Sequence, residues 1–325
     1  MISYKDIGVV NTREMFRKAL AGGYAIPAYN FTNHIQLQAI VVACVKTRSP
    51  VILAIDQIAW DDLHPVMVEY MARGAVKMAE ALGVKIPIAL HLDHGSDFNT
   101  CKKCINAGFF SVMIDGSRLP YAENVSLTKK VVDFAHPRDV TVEGELGLIA
   151  GVEGKTKSPQ VQYTRPEEVE DFASKTGVDS LAIAVGTSHG AYKFELRPGE
   201  APPSLRFDIL AEIGKRMPAL PLVLHGASAV PQEAVTIVNQ YGGKMPQAVG
   251  IPEEQLRKAV SMHVCKVNVH SDAQIVMTGT IRKFFIENPT LIDPRLYQKV
   301  ARQALVNMYM RKNIEVLGSA NRVET

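Results

Sequence analysis

Short apolar runs recur along the chain, each followed by turn residues and a longer stretch with helical periodicity. The runs are apolar and β-branched almost throughout, which is typical of strands buried on both faces of a parallel sheet. There are eight of them: YAIPAYN (24–30), PVILAID (50–56), IPIALHLD (86–93), SVMIDG (111–116), VTVEGELG (140–147), SLAIAVG (180–186), LPLVLHG (220–226) and VCKVNVH (264–270).

Strand–helix alternation repeated eight times in 325 residues predicts an α/β fold, a (β/α)₈ TIM barrel with extra C-terminal helices. We expect residues 1–325 to form one domain, because no linker or low-complexity tract divides them. An open doubly wound sheet is the alternative. It is weakened because no GxGxxG motif follows the first run.

The apolar runs end in residues that can bind a ligand or carry a proton. Active sites of such barrels lie at the carboxyl ends of the strands, so these side chains are expected on one rim. They are Asn30, Asp56, Asp93, His94, Asp115, Glu143, Glu145, His189, His225, Asn268 and His270.

Three of the nine histidines, His94, His189 and His225, follow predicted strands at matching places. One such histidine is more often a capping or core residue, but three converging imidazoles favour a catalytic zinc site with an open position. Such a metal acts as a Lewis acid on a substrate oxygen. His91, on the same strand as His94, is expected to be a buried orienting histidine.

Two glycine-containing loops, GTSHGAYK (186–193) and HGAS (225–228), suggest a phosphate site. They offer backbone amides, hydroxyls and Lys193, and Ser271 begins a helical pattern whose N-terminus favours an anion. Tight turns with ordinary helix caps are the alternative. Beside a metal cluster, the loops favour a phosphorylated, oxygen-rich substrate.

The charge balance argues for a small-molecule substrate rather than a polyanionic partner. There are 36 basic and 33 acidic residues, a net charge of +3, and no basic stripe with interleaved aromatics, so neither nucleic acid nor membrane binding is expected.

The N-terminal residues lack the apolar core of a signal peptide, and we expect a cytoplasmic protein with reduced cysteines. Cys101 and Cys104 form a lone CxxC, expected to be helical thiols rather than a zinc site.

The ordered motifs LHLDHG, EGELG, GTSHGAYK, LHGAS and CKVNV resemble the zinc-dependent class II fructose-bisphosphate aldolases. Within that family the chain is most similar to the type B branch, which includes tagatose-bisphosphate aldolases, from about residue 10 to GSANR near the C-terminus. The resemblance implies a homodimer or homotetramer. It also implies reversible cleavage of a ketose phosphate to dihydroxyacetone phosphate and an aldehyde.

The resemblance also implies roles for individual residues. His94, His189 and His225 would bind Zn²⁺, Asp93 would be the acid/base at the C4 hydroxyl, and Glu153 would exchange the C3 proton. Asp115 and Glu145 match residues that either support the metal ligands from behind or form an alternative metal position. Asn30 and Asn268 match substrate-binding asparagines. The residues that match the site of the 1-phosphate and its monovalent cation (Na⁺ or K⁺) are Gly190, Lys193, Gly226, Ser228 and Ser271.

The other end of the substrate site departs from the family pattern. His270 replaces the aspartate of fructose-type or the alanine of tagatose-type relatives, Asp56 replaces a serine that reaches the 6-phosphate, and Gln274 replaces an arginine. Arg295, which relatives lend across the dimer interface, is retained. A carboxylate facing a phosphate is repulsive, so a ketose 1-phosphate with an unphosphorylated distal end is one hypothesis. Drift in a pocket that still accepts fructose 1,6-bisphosphate is the other.

Three other functions stay open at this stage. A zinc-dependent epimerase would need Glu153 and zinc but not Asp93. Loss of a zinc histidine or of Asp93 would suggest a non-catalytic sugar-phosphate-binding subunit, and neither is lost. A metal-dependent hydrolase is disfavoured because the first run carries no HxH motif. A Schiff-base mechanism through Lys266 would leave three histidines without a role.

Overall fold

The computed structural model describes residues 4–153, 156–158, 161–194 and 200–323. Its strands, in chain order, are β1 Ile26–Asn30, β2 Val51–Asp56, β3 Ile88–Gly95, β4 Ser111–Ile114, β5 Thr141–Leu146, β6 Ala150–Glu153, β7 Thr156–Ser158, β8 Ser180–Ile183, β9 Ser188–His189, β10 Leu222–Leu224 and β11 Val264–Val269.

The helices lie between and after these strands. They are α1 Tyr4–Ile7, α2 Arg13–Gly22, α3 His34–Thr47, α4 Gln57–Leu63, α5 Pro65–Ala81, α6 Phe98–Asn106, α7 Tyr121–Ala135, α8 Pro166–Thr176, α9 Phe207–Arg216, α10 Gln232–Gln240, α11 Glu253–Val260, α12 Ser271–Glu287 and α13 Pro294–Arg311. A 3₁₀ turn spans His136–Arg138, and a π-turn, Lys312–Val316, follows α13.

Eight strands form a closed parallel barrel in the order β1, β11, β10, β8, β5, β4, β3, β2. Each overlaps one of the eight predicted runs, so the predicted (β/α)₈ barrel is confirmed. Register aligns the carboxyl ends of neighbouring strands, as Asp56 of β2 pairs with Asp93 of β3. The polar strand ends therefore meet on one rim, as a parallel barrel requires.

The opposite end of the barrel is closed by α2. Met15, Phe16 and Ala19 of this helix pack against inward-facing strand residues, including Ile26 and Ala28 of β1. Ile26 and Ala28 are two residues apart and so point to the same face of their strand. Because apolar side chains fill this end, the rim with the polar strand ends is the one open to a ligand.

A small second sheet, which the sequence analysis did not predict, lies outside the barrel. Its order is β7, β6, β9, and β6 runs parallel to β9 with Gly151 opposite His189. No helix in the described part of the chain is long and apolar enough to span a membrane.

Candidate active site

Strand β3 brings two adjacent residues, Asp93 and His94, into one cavity. Successive residues of a regular strand point to opposite faces, so this requires a break in the pleat. The break is present: the register with β4 shifts between Leu92 and Gly95, and His94 has a φ of +47°. Bulges of this kind re-aim side chains next to active sites. Asp93 and His94 both line a cavity of about 410 Å³.

His94, His189 and His225 converge in this cavity. The ring centroid of His94 lies 4.9 Å from that of His189 and 4.5 Å from that of His225. One ligand atom from each residue lies within 4.8 Å of the others, so the three can hold one metal ion. Burial, reinforced by His94, lowers the pKa values of His189 and His225, which favours the neutral imidazoles that bind metals.

His94 also belongs to a second potential metal site with Asp115 and Glu145. Its Nδ1 lies 3.1 Å from Asp115 Oδ2 and 4.0 Å from Glu145 Oε2. The Oε2 atom of Glu145 is buried, and no described group forms a hydrogen bond with it. Burial, with the nearby Asp115 carboxylate, raises the pKa of Glu145 well above its ordinary value. A bound cation would stabilise the ionised form of both buried carboxylates, so this donor set fits a metal ion.

A buried charged network lies beneath the histidines. Glu143 Oε1 is 2.6 Å from His225 Nε2, and Glu143 Oε2 accepts a hydrogen bond from Lys266 Nζ at 2.8 Å. Lys266 Nζ is also 3.0 Å from His91 Nε2, and His91 Nδ1 is 2.7 Å from Ser111 Oγ. Burial acts to raise the pKa of Glu143, but Lys266 and His225 outweigh it and lower that pKa.

The network fixes the orientation of His225. A carboxylate only accepts hydrogen bonds, so the Nε2 of His225 carries the hydrogen and Nδ1 presents its lone pair to the cavity. His91 is buried as expected. Burial, together with the Lys266 ammonium, lowers the pKa of the His91 imidazole to about 3, so this ring accepts the Lys266 hydrogen bond in its neutral form.

Asp93 is held by two amide side chains. Its Oδ2 accepts a hydrogen bond from Asn30 Nδ2 at 2.7 Å, and its Oδ1 accepts one from Asn268 Nδ2 at 3.0 Å. Burial acts to raise the pKa of Asp93, but the neighbouring His94 and His225 lower it below its usual range. Asp93 is therefore an ionised, oriented carboxylate beside the histidine cluster, which suits a proton acceptor.

The residues predicted to bind a phosphate line one side of the same cavity. Lys193 is buried and donates a hydrogen bond to the Ser188 carbonyl, and the N-terminus of α12 begins at Ser271. Gly226 has a φ of +59°, and a Cβ there would lie 2.6 Å from the backbone of Ser188, so only glycine fits this close approach. The phosphate-site residues that line the cavity are Gly190, Lys193, Gly226, Ser228 and Ser271.

Two carboxylates, those of Asp56 and Asp62, line the cavity at the end of β2 and on α4. His270 and Gln274 line it at the start of α12, and their Nε2 atoms lie 3.0 Å apart. Asp62 was missed by the sequence analysis, because a carboxylate on a short helix is usually on a solvated face. Asp62 lies one helical turn after Ile58, which also lines the cavity, on the helix that directly follows β2. That spacing is the signal that could have revealed it.

Arg295 and Glu153 are the predicted residues that the described part of the structure does not bring into the site. The Arg295 side chain is 86% exposed and paired with Asp293, at the start of α13. The backbone of Glu153 ends β6, next to the strand that carries His189, but its side chain lies outside the described residues. All other predicted site residues lie in the cavity or, for Asp115 and Glu145, beside His94.

Comparison with known proteins agrees with this geometry. A family model described as "Fructose-bisphosphate aldolase class-II" matches residues 10–322. The chain belongs to the class-II fructose-bisphosphate aldolase family. It is therefore an enzyme of the carbon–carbon lyase class, and its chemistry is aldol cleavage of a sugar phosphate.

Individual relatives of this aldolase cover nearly its whole length. It is 57% identical to a fructose-bisphosphate aldolase of Treponema pallidum (strain Nichols), over 99% of this chain and 100% of the relative. It is 42% identical to a fructose-bisphosphate aldolase of Giardia intestinalis, over 95% of this chain and 92% of the relative. Among solved structures, the YdjI aldolase of Escherichia coli K12 aligns with a TM-score of 0.73 at 27% identity, over 97% of this chain and 100% of that one.

Proposed function

We propose that this aldolase reversibly cleaves a ketose phosphate of the fructose 1,6-bisphosphate type to dihydroxyacetone phosphate and an aldehyde. The observation that carries the proposal is the ionised Asp93 carboxylate, held between Asn30 and Asn268 beside the three-histidine cluster. A cleaving enzyme needs a base at the hydroxyl of the carbon that leaves as an aldehyde, and Asp93 fills this role.

We propose that His94, His189 and His225 hold a catalytic Zn²⁺, which three neutral imidazoles suit. When bound, the ion would act as a Lewis acid that stabilises negative charge developing on the ketone oxygen. Glu143 orients His225 for this role, and Asp115 with Glu145 offers His94 an alternative set of metal ligands.

The remaining residues bind and orient the substrate. Asn30 and Asn268 hold Asp93 so that its proton-accepting oxygens keep a fixed direction. Glu153 exchanges the proton at the carbon that becomes nucleophilic. The phosphate next to the ketone, with a monovalent cation (Na⁺ or K⁺), is bound by the residues named above as the phosphate site. Lys193 supplies the opposite charge, and the backbone amides of the glycine loops and of α12 supply hydrogen-bond donors.

A second candidate substrate class is a ketose 1-phosphate with an uncharged, hydroxylated distal end. Two carboxylates, Asp56 and Asp62, line the distal side, while Lys193 is the one Lys or Arg among the described residues lining the cavity. A second phosphate on that side would face like charges, unless a cation came from elsewhere. Carboxylates and His270 instead suit hydrogen bonds from sugar hydroxyls.

A second copy of the chain is the natural source of such a cation. We propose a homodimer or a homotetramer of one-domain subunits in the cytoplasm. The supporting observation is an exposed patch where α12 leads into α13. It contains the Arg295 side chain, Ile292, which is 88% exposed, and other exposed apolar residues. Such a patch is typical of a subunit interface.

The deciding experiment is a substrate panel. Release of dihydroxyacetone phosphate is followed with zinc-loaded protein on fructose 1,6-bisphosphate, tagatose 1,6-bisphosphate and the corresponding ketose 1-phosphates, with metal-stripped protein as the control. Efficient cleavage of a bisphosphate supports the primary proposal. A strong preference for a 1-phosphate supports the second candidate. Epimer without any triose would refute both.

A further inference from the structure

The π-turn at the end of α13 buries two consecutive polar residues. Lys312 is 1% exposed and Asn313 is fully buried. A buried ammonium group needs close partners, because desolvation without compensation is unfavourable. The partners of Lys312 lie far away in the sequence, on the side of the barrel that carries the proposed phosphate site.

Lys312 pairs with Asp272 in the first turn of α12. The Nζ atom lies 2.6 Å from Asp272 Oδ2 and 3.5 Å from Glu253 Oε1. Asp272 is itself fully buried and directly follows Ser271, which lines the catalytic cavity. The ion pair therefore lies immediately behind the wall of the proposed phosphate site.

The Asp272 carboxylate also holds the loop that carries Ser228. Its Oδ1 accepts a hydrogen bond from the Val230 amide at 2.7 Å, and its Oδ2 accepts one from the Ala229 amide at 3.2 Å. Val230 has a φ of +52°, which a β-branched residue adopts only when its surroundings enforce it. Asp272 supplies part of that enforcement, and it thereby fixes the position of Ser228.

We propose that Lys312 and Asp272 are positioning residues for phosphate binding; this inference rests on the proposed function. Asp272 fixes the Ser228 loop but places a carboxylate behind a site for a phosphate dianion. Lys312 cancels that charge while holding the carboxylate in place. Neither residue lines the catalytic cavity, so both act through Ser228, Ser271 and the loop backbone.

The neighbouring Asn313 makes a matched control possible, because its partner Tyr29 can be changed without removing a group of the Lys312–Asp272 pair. It accepts a hydrogen bond from the Tyr29 hydroxyl at 2.7 Å and donates one to Thr47 Oγ1 at 3.0 Å, so it anchors the turn to β1 and α3 rather than to the phosphate loop. Loss of the Tyr29 hydroxyl perturbs the anchoring of the turn without touching Asp272. A purely structural role for the turn would make Tyr29→Phe and Lys312→Met behave alike.

The test compares Lys312→Met, the double variant Asp272→Asn/Lys312→Met, Tyr29→Phe and the unmodified enzyme, all zinc-loaded. Calorimetry gives the Kd of dihydroxyacetone phosphate, with dihydroxyacetone as the phosphate-free probe. Hydrogen exchange reports the amides of Ala229 and Val230, and steady-state kinetics separates KM from kcat.

For Lys312→Met we expect Kd for dihydroxyacetone phosphate to rise about tenfold with faster exchange at the two amides, and KM to rise more than kcat falls. Binding of dihydroxyacetone should not change. The double variant, which removes both charges, should recover to within about threefold of the unmodified Kd, because an asparagine oxygen can still accept one amide. Tyr29→Phe should lower thermal stability but leave unchanged both the Kd and the hydrogen exchange of the Ala229 and Val230 amides.

An unchanged Kd with protected amides in Lys312→Met would overturn the inference, as would equal weakening of both probes. If Lys312→Met does not fold, the double variant decides: faster exchange at Ala229 and Val230 supports the inference, and unchanged exchange refutes it. Failure of the unmodified enzyme to bind dihydroxyacetone phosphate would instead refute the proposed function.

Discussion

His225 Nε2 lies 2.6 Å from Glu143 Oε1, and both side chains are 1% exposed. The bond sets which nitrogen of His225 faces the cavity, and Lys266 on the other oxygen keeps the carboxylate charged. Partners of this kind orient a metal-binding histidine and raise its basicity.

We therefore predict that Glu143→Gln weakens zinc binding by about 10- to 100-fold. The amide is neutral, so it neither attracts the His225 hydrogen as strongly nor balances Lys266. Competition with a chromophoric chelator measures the zinc affinity directly, without relying on activity. Glu123→Gln, an exposed change on α7, is the matched control. Equal zinc affinity in both variants would show that the hydrogen bond does not contribute.

Asp93→Asn should reduce kcat by about 10²- to 10⁴-fold, because the amide cannot accept the substrate proton. The variant keeps the shape of Asp93, so zinc content should stay close to that of the unmodified enzyme. Triose release and metal analysis on the same samples separate the two effects. A variant that retained its zinc and lost less than about tenfold in kcat would assign the proton transfer to another group.

His91 gives a prediction for stability against pH. Its folded pKa of about 3 lies below the ordinary value of 6.5, so between these values the unfolded chain binds a proton that the folded protein does not. The stabilisation is thus complete above pH 6.5 and is lost as the pH falls towards the folded pKa. From about pH 7 to about pH 5 we expect His91 to account for a loss of about 2 kcal/mol in the free energy of unfolding.

Denaturant unfolding of metal-free protein measures this contribution without interference from metal release. His91→Gln should lose about 2 kcal/mol less than the unmodified protein over that range, whereas the exposed His34→Gln should not differ from it. If the free energy of unfolding changed with pH in the same way for all three proteins, the contribution assigned to His91 would be contradicted.

The acidic distal side predicts a change in substrate preference. Asp56 caps α4 by accepting a hydrogen bond from the Ala59 amide, and serine is also a good N-cap, so Asp56→Ser removes the charge while keeping the cap. Combined with Asp62→Asn, it should raise kcat/KM for fructose 1,6-bisphosphate about tenfold relative to fructose 1-phosphate. An unchanged ratio would mean that neither carboxylate faces the distal end of the bound sugar.

The eight strands and most of the site could be predicted from sequence because both rest on local patterns. Apolar runs mark buried parallel strands, and the residue that ends each run lies on the catalytic rim. That logic located Asp93 and the three histidines without any knowledge of distances.

Features that depend on long-range geometry could not be predicted. The bulge that lets Asp93 and His94 share a cavity depends on the register with β4. Strand β9 has only two residues, too few to show a period. The pairing of Lys312 with Asp272 joins residues that are distant in sequence, and no local signal distinguishes Lys312 from the basic residues around it.

The Glu143–Lys266 pair has a consequence for how the enzyme is made. Glu143 and His91 are synthesised well before Lys266, which lies in the last strand to close the barrel. Until β11 is added the barrel cannot close, and burial of Glu143 without the Lys266 ammonium would be unfavourable. Because Lys266 arrives with β11, the charge pair that orients His225 forms only when the barrel can close.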